Sequence, residues 1–185
     1  MKRRGFYFLL LLSIGAFLPA CVLAGSATLN WQPNGESDLA GYRVYYGTES
    51  RIYGPPLNVS TATDYSLNDL AEGMTYYFAV TALDTSGNES GYSDQVQKTI
   101  TDGTPPLVSL STPTSAASYT ATSATLTVTG AASDNVGVTQ VVWENSLGGC
   151  GTASGTSSWS VSGITLTEGV NTLTFTAEDA AGNRG

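Results

Sequence analysis

After residue 24 no window of this chain sustains apolar residues at the i, i+3, i+4, i+7 spacing that would give a helix one buried stripe. Short runs of alternating apolar and polar residues recur instead, set apart by Gly, Pro, Asn, Asp and Ser. An extended strand sends successive side chains to opposite faces, so each run offers a single apolar stripe, and such stripes are buried only when sheet packs on sheet. The expected fold class is therefore all-β.

In the first half the runs lie at 27–31, 41–46, 63–67, 75–82 and 93–100. Their inward stripes are Leu29 and Trp31; Tyr42, Val44 and Tyr46; Tyr65 and Leu67; and Tyr76, Phe78, Val80 and Ala82. The stretch TDGTPP at 101–106 then breaks any strand with Gly103, Pro105 and Pro106. A second set follows at 107–110, 124–129, 138–143, 157–164 and 171–177, with Val108, Leu110, Leu126, Val128, Val141, Trp143, Trp159, Val161, Leu173 and Phe175 facing inward.

The halves repeat one another. Ser37-Asp38 followed by Gly41 recurs as Ser133-Asp134 followed by Gly137, and TALDTSGN from residue 81 recurs as TAEDAAGN from residue 176, at offsets of 96 and 95. Markers holding nearly one offset imply duplicated loops, with Asp and Asn bonding local backbone and Gly87 or Gly182 at positive φ.

Residues 1–24 read as a signal peptide. Lys2, Arg3 and Arg4 precede a Leu-rich apolar stretch, and Val22-Leu23-Ala24 offers small residues for cleavage before Gly25. Two alternatives stay open: lipid attachment at Cys21 in Leu18-Pro19-Ala20-Cys21, and anchoring by an uncut helix. The implied location is extracellular or in the cell envelope.

Loss of the leader leaves Arg43, Arg51, Lys98 and Arg184 as the mature bases against fifteen acidic residues. Phosphate backbones need clustered cations, so nucleic acid is excluded as a partner. The chain contains no His, which removes His-based triads and the commonest metal ligand. Two-carboxylate glycosidase chemistry is the remaining catalytic option, but Glu36, Asp38, Asp84, Glu89 and Asp134 all sit in turn contexts and read as a solvated, turn-capping set. The chain is expected to be non-catalytic. Cys150 has no partner once Cys21 is removed, and reads as a free thiol in a Gly-rich loop; pairing between chains is the alternative.

The segments LNW at 29–31, SDLAGYRVYYG at 37–47 and LAEGMTYYFAVTALDTSGNES at 70–90 resemble fibronectin type III domains. Trp31 matches that family's buried strand-B tryptophan, and Tyr76, following Leu70 and Gly73, matches its tyrosine corner. Glu72 stands where the family often has proline, and almost nothing precedes Ala27, so the first strand is missing or very short. ASDNVGVTQVVW at 132–143 and TEGVNTLTFTAEDAAGN at 167–183 resemble a bacterial immunoglobulin-like domain. The resemblances imply two tandem immunoglobulin-like β-sandwiches: 25–101, a linker at 102–106, and 107–185. Projecting the last strand of the first module by the offset of 95 places its counterpart beyond residue 185, so the second module is expected to lack its last strand.

Arg43, Tyr45 and Tyr77 have the parity opposite to the core stripes. They are the candidate ligand-binding residues, on one outer face with Tyr53 beside them; ordinary cross-strand pairing is the alternative. Asp102, Asp134, Asn135 and Asp179 are candidate calcium ligands at the pole where the second module begins, with simple turn capping the alternative; no other cofactor is expected. Two functions remain: a cell-surface spacer or adhesive scaffold for protein or glycan, and the N-terminal accessory region of a larger secreted, carbohydrate-active hydrolase.

Overall fold

A computed structural model describes residues 8–10 and 25–185. The leader reading, its cleavage site and Cys21 lie outside the described residues, except for Phe8–Leu10, which form a short strand, β1. The chain divides into two compact units, one ending at Asp102 and the other running from Gly103 to Gly185 and taking in β1.

In the first unit, β2 (Gly25–Asn30) pairs antiparallel with β5 (Asp64–Leu70) as a two-stranded sheet. Opposite it lies a four-stranded sheet in the order β4 (Leu57–Val59), β3 (Leu39–Gly47), β6 (Thr75–Asp84), β7 (Val96–Thr99). Both sheets feed one core: Ala27, Leu67 and Leu70 from the first meet Val44 and Phe78 from the second, with Ile100 closing the end. Leu29, Trp31, Tyr46, Tyr65, Tyr76 and Val80 pack around them, as the alternation requires. The Tyr76 hydroxyl accepts a 3.0 Å bond from the Ala71 amide, the geometry of a tyrosine corner. Among the described residues no strand covers the outer edge of β2.

The second unit contains β8 (Leu107–Thr112), β9 (Thr120–Ala121), β10 (Thr125–Ser133), β11 (Val138–Asn145), β12 (Cys150–Thr152), β13 (Ser158–Thr165), β14 (Gly169–Asn171) and β15 (Leu173–Asp179). One sheet runs β13, β10, β8 and the facing one β12, β11, β15, while β1 lies between β14 and β9. Trp159 is wholly buried between the sheets and stacks on Phe175 at 5.0 Å. Its ring fits because position 130 is glycine. A methyl group there would overlap the Ser109 carbonyl oxygen and Trp159 Cζ2, and lie 2.7 Å from Trp159 Cε2.

Three expectations are corrected. Residues 93–95 are not strand, because the last strand of the first unit begins only at Val96. The serine hydroxyls explain the detour: the Ser90 and Ser93 amides still donate to the Ala82 and Val80 carbonyls, but their Oγ atoms, in place of backbone carbonyls, take up the Ala82 and Val80 amides. Cys150 opens a strand, β12, rather than lying in a loop, and its thiol is free and exposed. The third concerns Glu89 and belongs with the site below. Beside β15, the returning chain pairs through a Glu178–Arg184 bridge and two bonds between Ala177 and Gly185.

The repeated loops are duplicates in detail. Asp84 Oδ1 accepts the Ser86 and Asn88 amides while Oδ2 accepts Asn88 Nδ2. Asp179 does the same with Ala181 and Asn183. Gly87 and Gly182 supply the left-handed residue at φ 85° and 89°. In both turns hydrogen bonding to the charged form holds the carboxyl below its ordinary range: at Asp179 desolvation is the largest single effect and pushes upward, but the bonds from Asn183, Ala181 and Gly182 together outweigh it, and at Asp84 the Asn88 side chain contributes most.

Candidate ligand-binding face

Arg43 and Tyr45 on β3 stand opposite Thr81 and Ala79 on β6, which puts all four on the outer face of the four-stranded sheet. Thr81 and Ala79 are nonetheless buried, because the segment from Glu89 to Gln95 folds over that face. Glu89 fastens it: its carboxylate accepts bonds from Thr81 Oγ1 at 2.6 Å and Tyr45 Oη at 2.7 Å, and pairs with Arg43. Glu89 is exposed, as expected, but it caps no turn: its carboxylate is bonded to the sheet face instead, which corrects that part of the expectation.

A second clasp holds the neighbouring loop. Gln95 Oε1 accepts bonds from the Arg51 amide at 2.7 Å and Tyr53 Oη at 2.9 Å, and Gln95 Nε2 donates to Ser50 Oγ. The two clasps bring three tyrosines together. Tyr92 meets Tyr45 at 4.9 Å and 89°, and Tyr53 at 5.3 Å and 57°. Tyr45 and Tyr53 are 6.3 Å apart. Tyr92 is 58% exposed, so it presents a ring that is pinned from below and open above.

The expected trio of Arg43, Tyr45 and Tyr77 is thus distributed differently. Arg43 is engaged by Glu89 and also donates to Asn58 Oδ1. Tyr77 lies farther along the same face, opposite Gly47 and Gln97, and makes no ring contact among the described residues. Tyr92 completes the cluster instead. It sits outside any strand, so parity could not find it; the signal available was the spacing of Glu89, Ser90, Ser93 and Gln95 around it.

Next to the cluster runs a groove of about 600 Å3, walled by Leu29 and Asn30 at the end of β2 with Trp31 just beyond it, by β6, and by the segment carrying Ser90 to Asp94, with Tyr92 at its rim. It lies along the uncovered edge of β2. Trp31 Nε1 is buried without a hydrogen-bond partner among the described residues, and Tyr42 Oη accepts the Asn34 amide.

Of the cation candidates, Asp102 closes the first unit and is 8% exposed. In the second unit Asp134 Oδ2 accepts the Val136 and Gly137 amides at 2.8 Å each, while Oδ1 is buried without a hydrogen-bond partner among the described residues. The Asp134 and Asp179 carboxylates lie within 4.8 Å of one another. Asn135 is exposed.

Glu89 carries a pH prediction. Its hydrogen bond from Thr81, then that from Tyr45, and the Arg43 contacts hold the folded carboxyl below the ordinary 4.5, against a smaller desolvation effect. A depressed folded pKa contributes stability that is complete above 4.5 and lost as pH falls through the folded value. Asp84 acts with the same sign in the same module, so the comparison that matters is with Glu89→Gln. The wild-type first module should lose more melting temperature than Glu89→Gln between pH 5 and pH 3. Parallel losses in the two proteins would show that Glu89 is not held in this way.

Residues 22–99 match the family model of the fibronectin type III domain. The chain is 34% identical over 170 residues to chitinase A1 of Niallia circulans, which covers 88% of this chain and 22% of that protein. It is 32% identical over 130 residues to exoglucanase B of Cellulomonas fimi, covering 68% and 11%. It is 36% identical over 69 residues to amylopullulanase of Thermoanaerobacter thermohydrosulfuricus, covering 34% and 4%. The chain thus spans less than a quarter of the length of each of these relatives. A two-domain fibronectin type III segment of chicken tenascin aligns over 83% of this chain and 84% of its own, with a TM-score of 0.51 and 18% identity, a likeness of fold alone.

Proposed function

We propose that this chain, whose first module is a fibronectin type III domain, is the non-catalytic accessory region of an exported enzyme that acts on a polysaccharide. One observation carries the reading: the chain aligns with short segments of three enzymes named for chitin, glucan and pullulan chemistry. Fibronectin type III domains are a non-catalytic module type, so in such enzymes catalysis resides in other domains. Polymers of that size do not cross a membrane, which makes an extracellular location the physical corollary and agrees with a cleavable leader at 1–24. The second module, read as a bacterial immunoglobulin-like domain, extends the same accessory region.

The test has two parts. Antibody to the first module should detect, in the growth medium of the native cell, a product far larger than 19.2 kDa that releases sugar from a polysaccharide. The purified chain alone should release none. Hydrolysis by the purified chain would overturn the non-catalytic assignment, and a native product no larger than 19.2 kDa would favour the free-standing adhesive or spacer reading.

Calcium at Asp134, Asn135 and Asp179 remains a proposal beside this one, favoured by the buried, unbonded Asp134 Oδ1. Millimolar calcium, but not magnesium, should raise the melting temperature of the second module; an unchanged transition disposes of the site.

A further inference from the structure

We propose that the groove between β2 and the Ser90–Asp94 segment binds a neutral oligosaccharide, with Tyr92 as its stacking platform and Trp31 and Tyr42 as donors in its floor. This deepens the reading of the chain as part of a polysaccharide-acting enzyme and rests on it for the source of the ligand.

The chemistry of the walls selects the class. No cationic side chain lines the groove, and Asp94 is its one charged residue among those described. Phosphate, sulfate and carboxylate ligands would enter a site with nothing to neutralise them, beside a carboxylate, on a chain of net charge −8. Asn30, Gln32 and Asn34 add amides that both donate and accept, which is the complement of a ring of hydroxyl groups.

Two donors lack acceptors among the described residues. Trp31 Nε1 is buried and unpaired, and Tyr42 Oη, having accepted the Asn34 amide, keeps its own proton to give. Trp31 Nε1 is covered while the groove is empty, so a ligand hydroxyl pairs with it only by displacing a neighbouring side chain, and that pairing relieves the cost of a buried donor without a partner. A purely aliphatic or aromatic ligand would leave both unmet.

The rim meets the other half of a sugar's chemistry, its apolar C–H face. Tyr92 is held by contacts with Tyr45 and Tyr53, so little side-chain entropy is lost when a ring stacks on its open side. At about 600 Å3 the groove is within the range of small-molecule sites. It follows a sheet edge rather than forming a closed pocket, which suits a segment of a linear chain.

The probes are chitohexaose, cellohexaose and maltohexaose, titrated by calorimetry into the purified chain, with a heparin hexasaccharide as the sulfated counterpart. At least one neutral hexaose should bind and heparin should not. Tyr92→Ala should weaken binding by at least about tenfold, or about 1.4 kcal/mol, while Tyr92→Phe and Tyr77→Ala leave it unchanged. The Trp31 indole N–H resonance, assigned through Trp31→Phe, should shift on titration, a readout that stays informative if Tyr92→Ala folds poorly. Absence of binding by all three neutral sugars at millimolar concentration overturns the site while leaving the accessory reading standing. Binding that survives Tyr92→Ala with no change at the Trp31 indole places the ligand elsewhere, and binding of heparin alone overturns the neutral class. Hydrolysis of a hexaose would instead overturn the accessory reading.

Discussion

Phe78→Ala lowers the stability of the first module by about 3–5 kcal/mol, the cost of emptying a large aromatic site in a closed core. Phe78 is 1% exposed and sits where both sheets meet, against Val44 and Leu67, with Tyr46 and Tyr76 stacked at 6.5 and 6.4 Å. Those neighbours are fixed by other duties, Tyr76 by its bond from the Ala71 amide, so the cavity cannot collapse. A domain of this size has roughly 5–15 kcal/mol in total, and the variant is left marginal. Calorimetry should show the first module's transition lower by more than about 10 °C, with the second module's transition in place. A drop of only one or two degrees would mean that the core repacks, against the geometry described.

Gly130→Ala has the opposite cause and a comparable effect on the second module. One added methyl must displace both the Ser109 carbonyl on the neighbouring strand and the buried Trp159 ring. Moving the carbonyl distorts the β8–β10 ladder; moving the ring drives it toward space that the stacked Phe175 ring already fills. Overpacking of this kind costs about 1–3 kcal/mol and more where backbone must yield. The second transition should fall by about 10 °C or more while the first stays in place. Trp159→Phe in the Gly130→Ala background should recover part of the loss, since the smaller ring vacates the space; no recovery would show that the Ser109 carbonyl is the deciding clash.

These effects rest on residues that the alternation already placed. Val44, Phe78, Val128, Val141 and Trp159 sit in runs long enough for parity to be read, and burying one face then commits every second residue. β4 escaped because it has three residues directly after Pro55 and Pro56, too few to show a period. β12 escaped for a similar reason, a three-residue strand in a glycine-rich stretch. The candidate site was half legible. Tyr45 and Arg43 follow from strand parity, whereas Tyr53 and Tyr92 reach the face from loops, through clasps by Gln95 and Glu89 that depend on long-range placement. No local pattern encodes a contact between residues 43 and 89.

The paired turns at Asp84 and Asp179 close on themselves. Each is held by its own aspartate, glycine and asparagine, and of the two residues between aspartate and glycine, Thr85-Ser86 in one and Ala180-Ala181 in the other, Ser86 and Ala181 serve the turn through their backbone amides, while the Thr85 amide bonds the Asp38 carbonyl. The turn is in that sense a socket of standard fitting. Side chains exchanged at 85–86 or 180–181 leave the register of the flanking strands untouched, so this pole of either module can acquire new recognition chemistry without renegotiating the fold that carries it.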